Sequence, residues 1–133
     1  MQVMELQGNT IQTINMQDWH GNNRSVRYSH FSVSPQPYYY LNIHGFQGDV
    51  LDDLSHNNGA YFTTFDRYDA EHCAIHQKGG WWYNNCTSAL PTGQYYHGGP
   101  YTPTSRYYDG IYWKDWQGYG YSLKFISMTL SNA

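Results

Sequence analysis

His72, Cys73 and His76 stand close together near the middle of the chain and are of types that do chemistry. On a helix, His72 and His76 share a face at i, i+4. With Cys73 they would offer donors for a zinc ion or a thiol–imidazole pair. No third histidine or carboxylate stands at a motif spacing such as H-E-x-x-H, so the pattern reads as exposed helix histidines. A second cysteine, Cys86, follows. In an oxidising compartment the two cysteines would close one short loop and stabilise the fold by about 3 kcal/mol. In a reducing compartment they are two buried thiols.

The composition narrows the function classes. The 133 residues include 15 Tyr, 5 Trp and 5 Phe, so aromatics make up 19% and charged residues only 13%. An average chain has about 25% charged residues, so charge-driven disorder is excluded. The net charge of −3 leaves no basic excess for a phosphate backbone, and nucleic acid is not expected as a partner. No run approaches the ~20 apolar residues of a membrane span. The first residues carry no apolar leader region, so either a leader has been removed or the protein is cytosolic.

The elements that must position these residues are short. Thirteen Gly, five Pro and many Asn favour strands and ordered loops over long helices. Ile14 to Gln17 alternates as a strand, followed by a turn over Trp19 to Asn23. Tyr39, Leu41 and Ile43 share one face of a strand that ends at Gly45. His56-Asn57-Asn58-Gly59 reads as a turn, and Ala60 to Phe65 as a strand rich in β-formers. Asp69 to His76 is the best helix candidate, capped by Asp69 and stopped by Gly79-Gly80. Residues 87–110 form a long region punctuated by Gly and Pro, of the kind that carries function in compact domains. Residues 121–130 read as a closing strand, with a bulge where the apolar phase switches between Phe125 and Ile126. The fold class expected is α+β and β-dominated: a twisted antiparallel sheet, one or two short helices and a large loop-rich C-terminal binding region, in a single domain over 1–133.

Several segments together resemble the recognition part of the fibrinogen-related domain. They are Asp18-Trp19-His20-Gly21-Asn22, Tyr28 to Val33, Asn58-Gly59 with Phe62 to Arg67, Cys73-Ala74, and Gly79-Gly80-Trp81-Trp82-Tyr83-Asn84-Asn85-Cys86. Downstream come Gly93 to Tyr96, Asp109-Gly110-Ile111-Tyr112-Trp113 with Trp116, and Tyr121 to Lys124 with Met128. The family's N-terminal subdomain has no counterpart, so the chain looks like a shortened version or a fragment that begins in the central sheet. The resemblance implies an extracellular, non-catalytic recognition domain with a Cys73–Cys86 bridge and a cis peptide at Asn85-Cys86.

The resemblance also implies two sites. A calcium loop would use Asp66 as first ligand, but the second position holds Tyr68, and the substitutes at hand, Asp69 or Glu71, both fall on the candidate helix. Calcium needs several hard oxygens, so the expectation is a site lost or strongly weakened. In lectin members a pocket beside the bridged loop holds acetyl groups. Its positions fall here on Gln77, Asn85, Cys86, Thr87, Tyr107 and Tyr108, with His97 nearby. Only Tyr107 matches the lectin pattern. Polar Gln77 and Thr87 beside two phenol rings still suit a sugar. Clotting members hold a basic peptide with acidic side chains in the same pocket. Gln77 and Tyr108 are uncharged and Asp109 is one position away, so such peptides are not expected to bind. The expected function is a secreted lectin for glycans or glycoproteins. The alternative is a matrix, adhesion or receptor-binding module working through protein contacts. Trp81 and Trp82 are expected in the core. The free edge of the sheet is expected to be covered by local loops or by self-association into a homo-oligomer.

Overall fold

The structure, a computed structural model, describes residues 10–66, 71–103, 105 and 107–132. Four strands form one antiparallel sheet: β1 (Thr10–Gln17), β2 (Asn23–Val33), β3 (Leu41–Gly48) and β4 (Phe125–Asn132), in the order β3-β2-β1-β4. A 3-10 turn covers Ser55–Asn57. Two short helices follow, α1 (Cys73–Gln77) and α2 (Lys114–Gln117). No helix among the described residues is long and apolar enough to cross a membrane.

Alternation builds the sheet's inner face. Ile14 and Met16 on β1, Val26 and Tyr28 on β2, and Leu41 and Ile43 on β3 are all buried. They pack with Leu54, Trp81, Leu90, Trp113 and Leu123 from the loops into one core. On β2 the buried positions pass from Tyr28 to Phe31, a change of phase. The pairing with β3 keeps one register from Val26↔Gly48 to Val33↔Leu41, so no residue is inserted. Gly45 sits at this change with φ +78, where an added Cβ would lie 1.8 Å from Ser29 Oγ. Only glycine fits there.

The β1–β2 turn is closed by Asp18, which is fully buried. Its carboxylate accepts hydrogen bonds from the His20 and Asn22 amides (both 2.9 Å), from Asn22 Nδ2 and from Gln117 Nε2 (both 3.0 Å). Burial alone would raise its pKa, but the bonds from Asn22 and His20 outweigh burial and hold it below the ordinary value. The Gln117 bond also ties the turn to α2.

Several expected elements differ. Ala60 to Phe65 is not a strand: only Thr63 bridges, to Trp81. Its backbone neighbours are served piecemeal, with Ala60 O accepting from Leu41 N–H and Phe62 N–H donating to Tyr38 O. β-propensity had no continuous ladder to join. Tyr39 lies outside β3 at φ 53, and β3 runs past Gly45 to Gly48. The helix starts at Cys73 rather than Asp69, with His72 before it in a left-handed conformation. Asp69 lies outside the described residues. Lys78, not Gly79, takes the left-handed position that ends the helix. Gly79 and Gly80 serve close packing instead, since added Cβ atoms would lie 2.4 Å from Thr92 O and 2.9 Å from the Phe62 ring. The bulge in β4 is absent: pairing with β1 is unbroken from Thr10↔Asn132 to Gln17↔Phe125. Leu123 belongs to the loop before the strand and Phe125 to the outer face, which produced the apparent phase change.

Candidate functional site

The double-tryptophan segment is fixed from three sides. Trp81 is buried and donates Nε1–H to Thr87 Oγ1 (3.2 Å). Trp82 is half-buried and donates to Tyr39 O (2.8 Å). Cys73 and Cys86 are bridged, with Cα atoms 5.6 Å apart, and the Asn85-Cys86 peptide is cis. The expectations for the bridge, for that peptide bond and for both indoles agree with the structure.

The residue that holds this segment open was read in the sequence as part of a turn. Asn57 is fully buried. Its Nδ2 donates to Trp82 O (2.7 Å) and Cys86 O (3.1 Å), and its Oδ1 accepts from Thr87 Oγ1 (3.0 Å). His56 and Asn84 add a second clamp, with His56 Nε2 2.6 Å from Asn84 O and Asn84 Nδ2 donating to His56 O (2.9 Å). The 3-10 turn thus grips the bridged loop through side-chain to backbone bonds spanning 25 and 29 residues of sequence.

Beside the bridge lies a hollow of about 320 Å³. Gln77, Asn85, Cys86, Thr87, Tyr107 and Tyr108 all line it, and Tyr112 and Tyr119 complete the wall. The last two were not picked out as site residues. Tyr112 falls inside the Asp109–Trp113 motif, and Tyr119 in a tyrosine-rich segment, which is the signal that marks them. Gln77 is buried and donates Nε2–H to Tyr108 O (2.7 Å) and Tyr112 Oη (2.9 Å). Its Oε1 is buried without a hydrogen-bond partner. Tyr112 donates to Thr87 O (3.0 Å), and burial pushes its phenol well above the ordinary value. The single proton of the Thr87 hydroxyl lies within reach of Ala89 O (2.5 Å) and Asn57 Oδ1 (3.0 Å), and its oxygen accepts from Trp81 Nε1. The amide nitrogen of Gln77 and the hydroxyl of Thr87 are therefore engaged inside the protein, whereas Gln77 Oε1 is buried and unpartnered. The rim is aromatic: Tyr108 and Tyr119 are exposed and stack at 5.9 Å, and Tyr107 stacks on His76 at 4.7 Å.

His97 stands apart from the hollow. Its ring packs edge-on against Trp19 at 4.6 Å. Trp19 is itself anchored by Nε1–H to Ser122 O (2.8 Å) and by its amide to Tyr121 Oη (2.8 Å). Asp109 is close in sequence but closed off. It is 1% exposed, ion-paired to Lys78 Nζ at 2.8 Å and hydrogen-bonded by Tyr96 Oη at 2.7 Å. Burial and that carboxylate push the Tyr96 phenol up to about 12.

Among the described residues the histidine and cysteine chemistry of the sequence does not assemble. Cys73 is bridged and offers no thiolate. The His72 and His76 rings are 6.4 Å apart and perpendicular. The Asp66 carboxylate accepts a hydrogen bond from Thr64 Oγ1. Among the described residues no group of three or more His, Cys, Asp or Glu is placed to hold a metal ion. Of the two expected calcium ligands, Asp66 is described and Asp69 lies outside the described residues.

A small antiparallel sheet thus carries a bridged loop and a tyrosine-walled hollow. The comparisons name its family. The sequence profile for the C-terminal globular domain of fibrinogen beta and gamma chains matches residues 1–133, and the chain belongs to that family. Human angiopoietin-related protein 2 is 41% identical over 128 residues, covering 93% of this chain and 26% of the relative. The fibrinogen-like globe domain of human ANGPTL6 superimposes with a TM-score of 0.89 at 35% identity, covering 96% of this chain and 58% of that one. The lamprey fibrin D-dimer, complexed with the peptide Gly-His-Arg-Pro-amide, gives a TM-score of 0.86 at 30% identity, covering 93% and 45%. The chain thus spans about a quarter of the curated relative's length and under two-thirds of the solved ones.

Proposed function

We propose that the chain is an extracellular, non-catalytic recognition module that works through protein contacts at the tyrosine-walled hollow. One observation carries this reading. The Gln77 amide nitrogen and the Thr87 hydroxyl are bonded inside the protein and Gln77 Oε1 is buried, while the large side chains exposed at the hollow, beside Asn85, are the phenol rings of Tyr108 and Tyr119. Tyrosine gives large contact area at low entropic cost and is enriched among the residues that dominate protein interfaces. The relatives named above, an angiopoietin-related protein and fibrinogen-like domains, favour this reading over a lectin. The disulfide supports an oxidising, extracellular compartment. The basic peptide held by the lamprey protein is not proposed as a ligand, because the nearby carboxylate of Asp109 is buried and paired. Calcium is proposed to be dispensable, and self-association along the exposed β4 strand remains a proposal that sedimentation would test.

Arrayed cell-surface ectodomains and arrayed glycans, probed side by side, test the reading. Saturable binding to a protein that falls at least about tenfold in Tyr108→Ala is expected. Binding confined to glycans would reverse the choice.

A further inference from the structure

The outer face of the sheet carries a pair of side chains that the hollow does not use. His30 on β2 and His44 on β3 are direct cross-strand partners. Their rings stack with centroids 4.2 Å apart and planes 10° from parallel. Phe31 and Ile43, their neighbours in sequence, are buried. Alternation therefore turns the two imidazoles outward, with His30 half-buried and His44 exposed. The local register is held by Ile43 N–H donating to Asn58 Oδ1 at 2.9 Å and by the left-handed Gly45. Among the described residues neither ring makes a hydrogen bond to protein, so the ring nitrogens are free.

We propose that His30 and His44 form a two-imidazole chelate for a borderline divalent transition metal of the Zn(II)/Cu(II) class. Neutral imidazole suits these ions. Two nitrogens on one tetrahedral ion, each about 2.0–2.1 Å from the metal, stand about 3.4 Å apart. The rings begin 4.2 Å apart, and the second torsion of histidine is broad, so turning the rings closes the gap without moving the strands. Water fills the remaining positions, which makes the site exchangeable. Bound metal clips β2 to β3 and stabilises the sheet by mass action. The competing pair is worse placed: the His72 and His76 rings are perpendicular at 6.4 Å, and His76 is stacked on Tyr107.

Imidazole NMR of the full chain during substoichiometric Cu(II) addition, with Zn(II) calorimetry alongside, tests the proposal. His30 and His44 resonances should broaden first and together. Zn(II) should bind one ion per chain, and His44→Gln should weaken it at least about tenfold by removing the second arm of the chelate, with the metal-free Tm unchanged. First broadening at His72 and His76, even broadening over all seven histidines, no broadening at all, or unchanged Zn(II) affinity in His44→Gln overturns it. His30→Gln should act alike. If that variant fails to fold, the exposed His44→Gln decides alone.

Discussion

In the sheet, Ile14, Met16, Val26 and Tyr28 are buried by simple alternation, and their backbone groups pair in unbroken registers. In the loop region Trp81, Tyr112 and Trp113 are equally buried, yet only isolated bridges join their backbone. There, individual polar side chains replace the ladder. Asn57 holds the bridged loop, Trp113 Nε1 donates to Leu51 O (2.9 Å), and Asp53 receives the Asp115 amide (2.7 Å). A ladder shares its load over many equivalent bonds, whereas one clamp residue serves several buried groups at once. Single polar substitutions should therefore harm the loops more than conservative apolar changes harm the sheet.

The largest effect is expected at Asn57. Asn57→Ala strips Trp82 O of its hydrogen bond, at about 1–3 kcal/mol for a group left unsatisfied, and takes one bond each from Cys86 O and Thr87 Oγ1, which keep Asn84 N–H and Trp81 Nε1, at about 1 kcal/mol apiece. A total of roughly 3–4 kcal/mol in chemical denaturation is expected. Next comes the bridge. Replacing Cys73 and Cys86 together by Ser should cost about 3 kcal/mol, seen as a lowered Tm, with the far-UV signal of the sheet retained below the transition.

Asp53 makes a pH-dependent version of the same contrast. It is 3% exposed, and its carboxyl is pushed up to about 7, first by burial and then by the neighbouring Asp115 carboxyl. Between the ordinary carboxylate range near pH 4 and about pH 7, the native state keeps a proton that the unfolded state has lost. This contribution to stability is present at low pH and fades as pH rises through that window. Asp53→Asn keeps the acceptor for the Asp115 amide and should flatten the slope, raising stability at pH 7.5 by on the order of 1–2 kcal/mol. The smallest effect is expected in the sheet, where Ile14→Val should cost about 1 kcal/mol. A larger loss at Ile14 than at Asn57 would break the comparison.

The sequence showed the two regions unequally, for the same physical reason. Alternation is local, so β1 and the Leu41–Ile43 face are readable from neighbours alone. Ala60 to Phe65 misled because strand propensity says nothing about whether a partner strand is present. Asn57 reads as a turn because its partners, Trp82, Cys86 and Thr87, are remote in sequence. The hollow itself was largely legible through the family motif, which places Gln77, Thr87, Tyr107 and Tyr108 together. The motif could not show that Gln77 and Thr87 turn their polar groups inward, nor that Trp19 captures His97.

Hydrogen exchange of the chain and of Asn57→Ala, compared segment by segment, tests most directly whether one clamp preforms the hollow. Amides of residues 82–89 should lose protection in the variant while those of β1 and β2 keep theirs. Equal loss in both regions, or no loss at 82–89, would contradict this account.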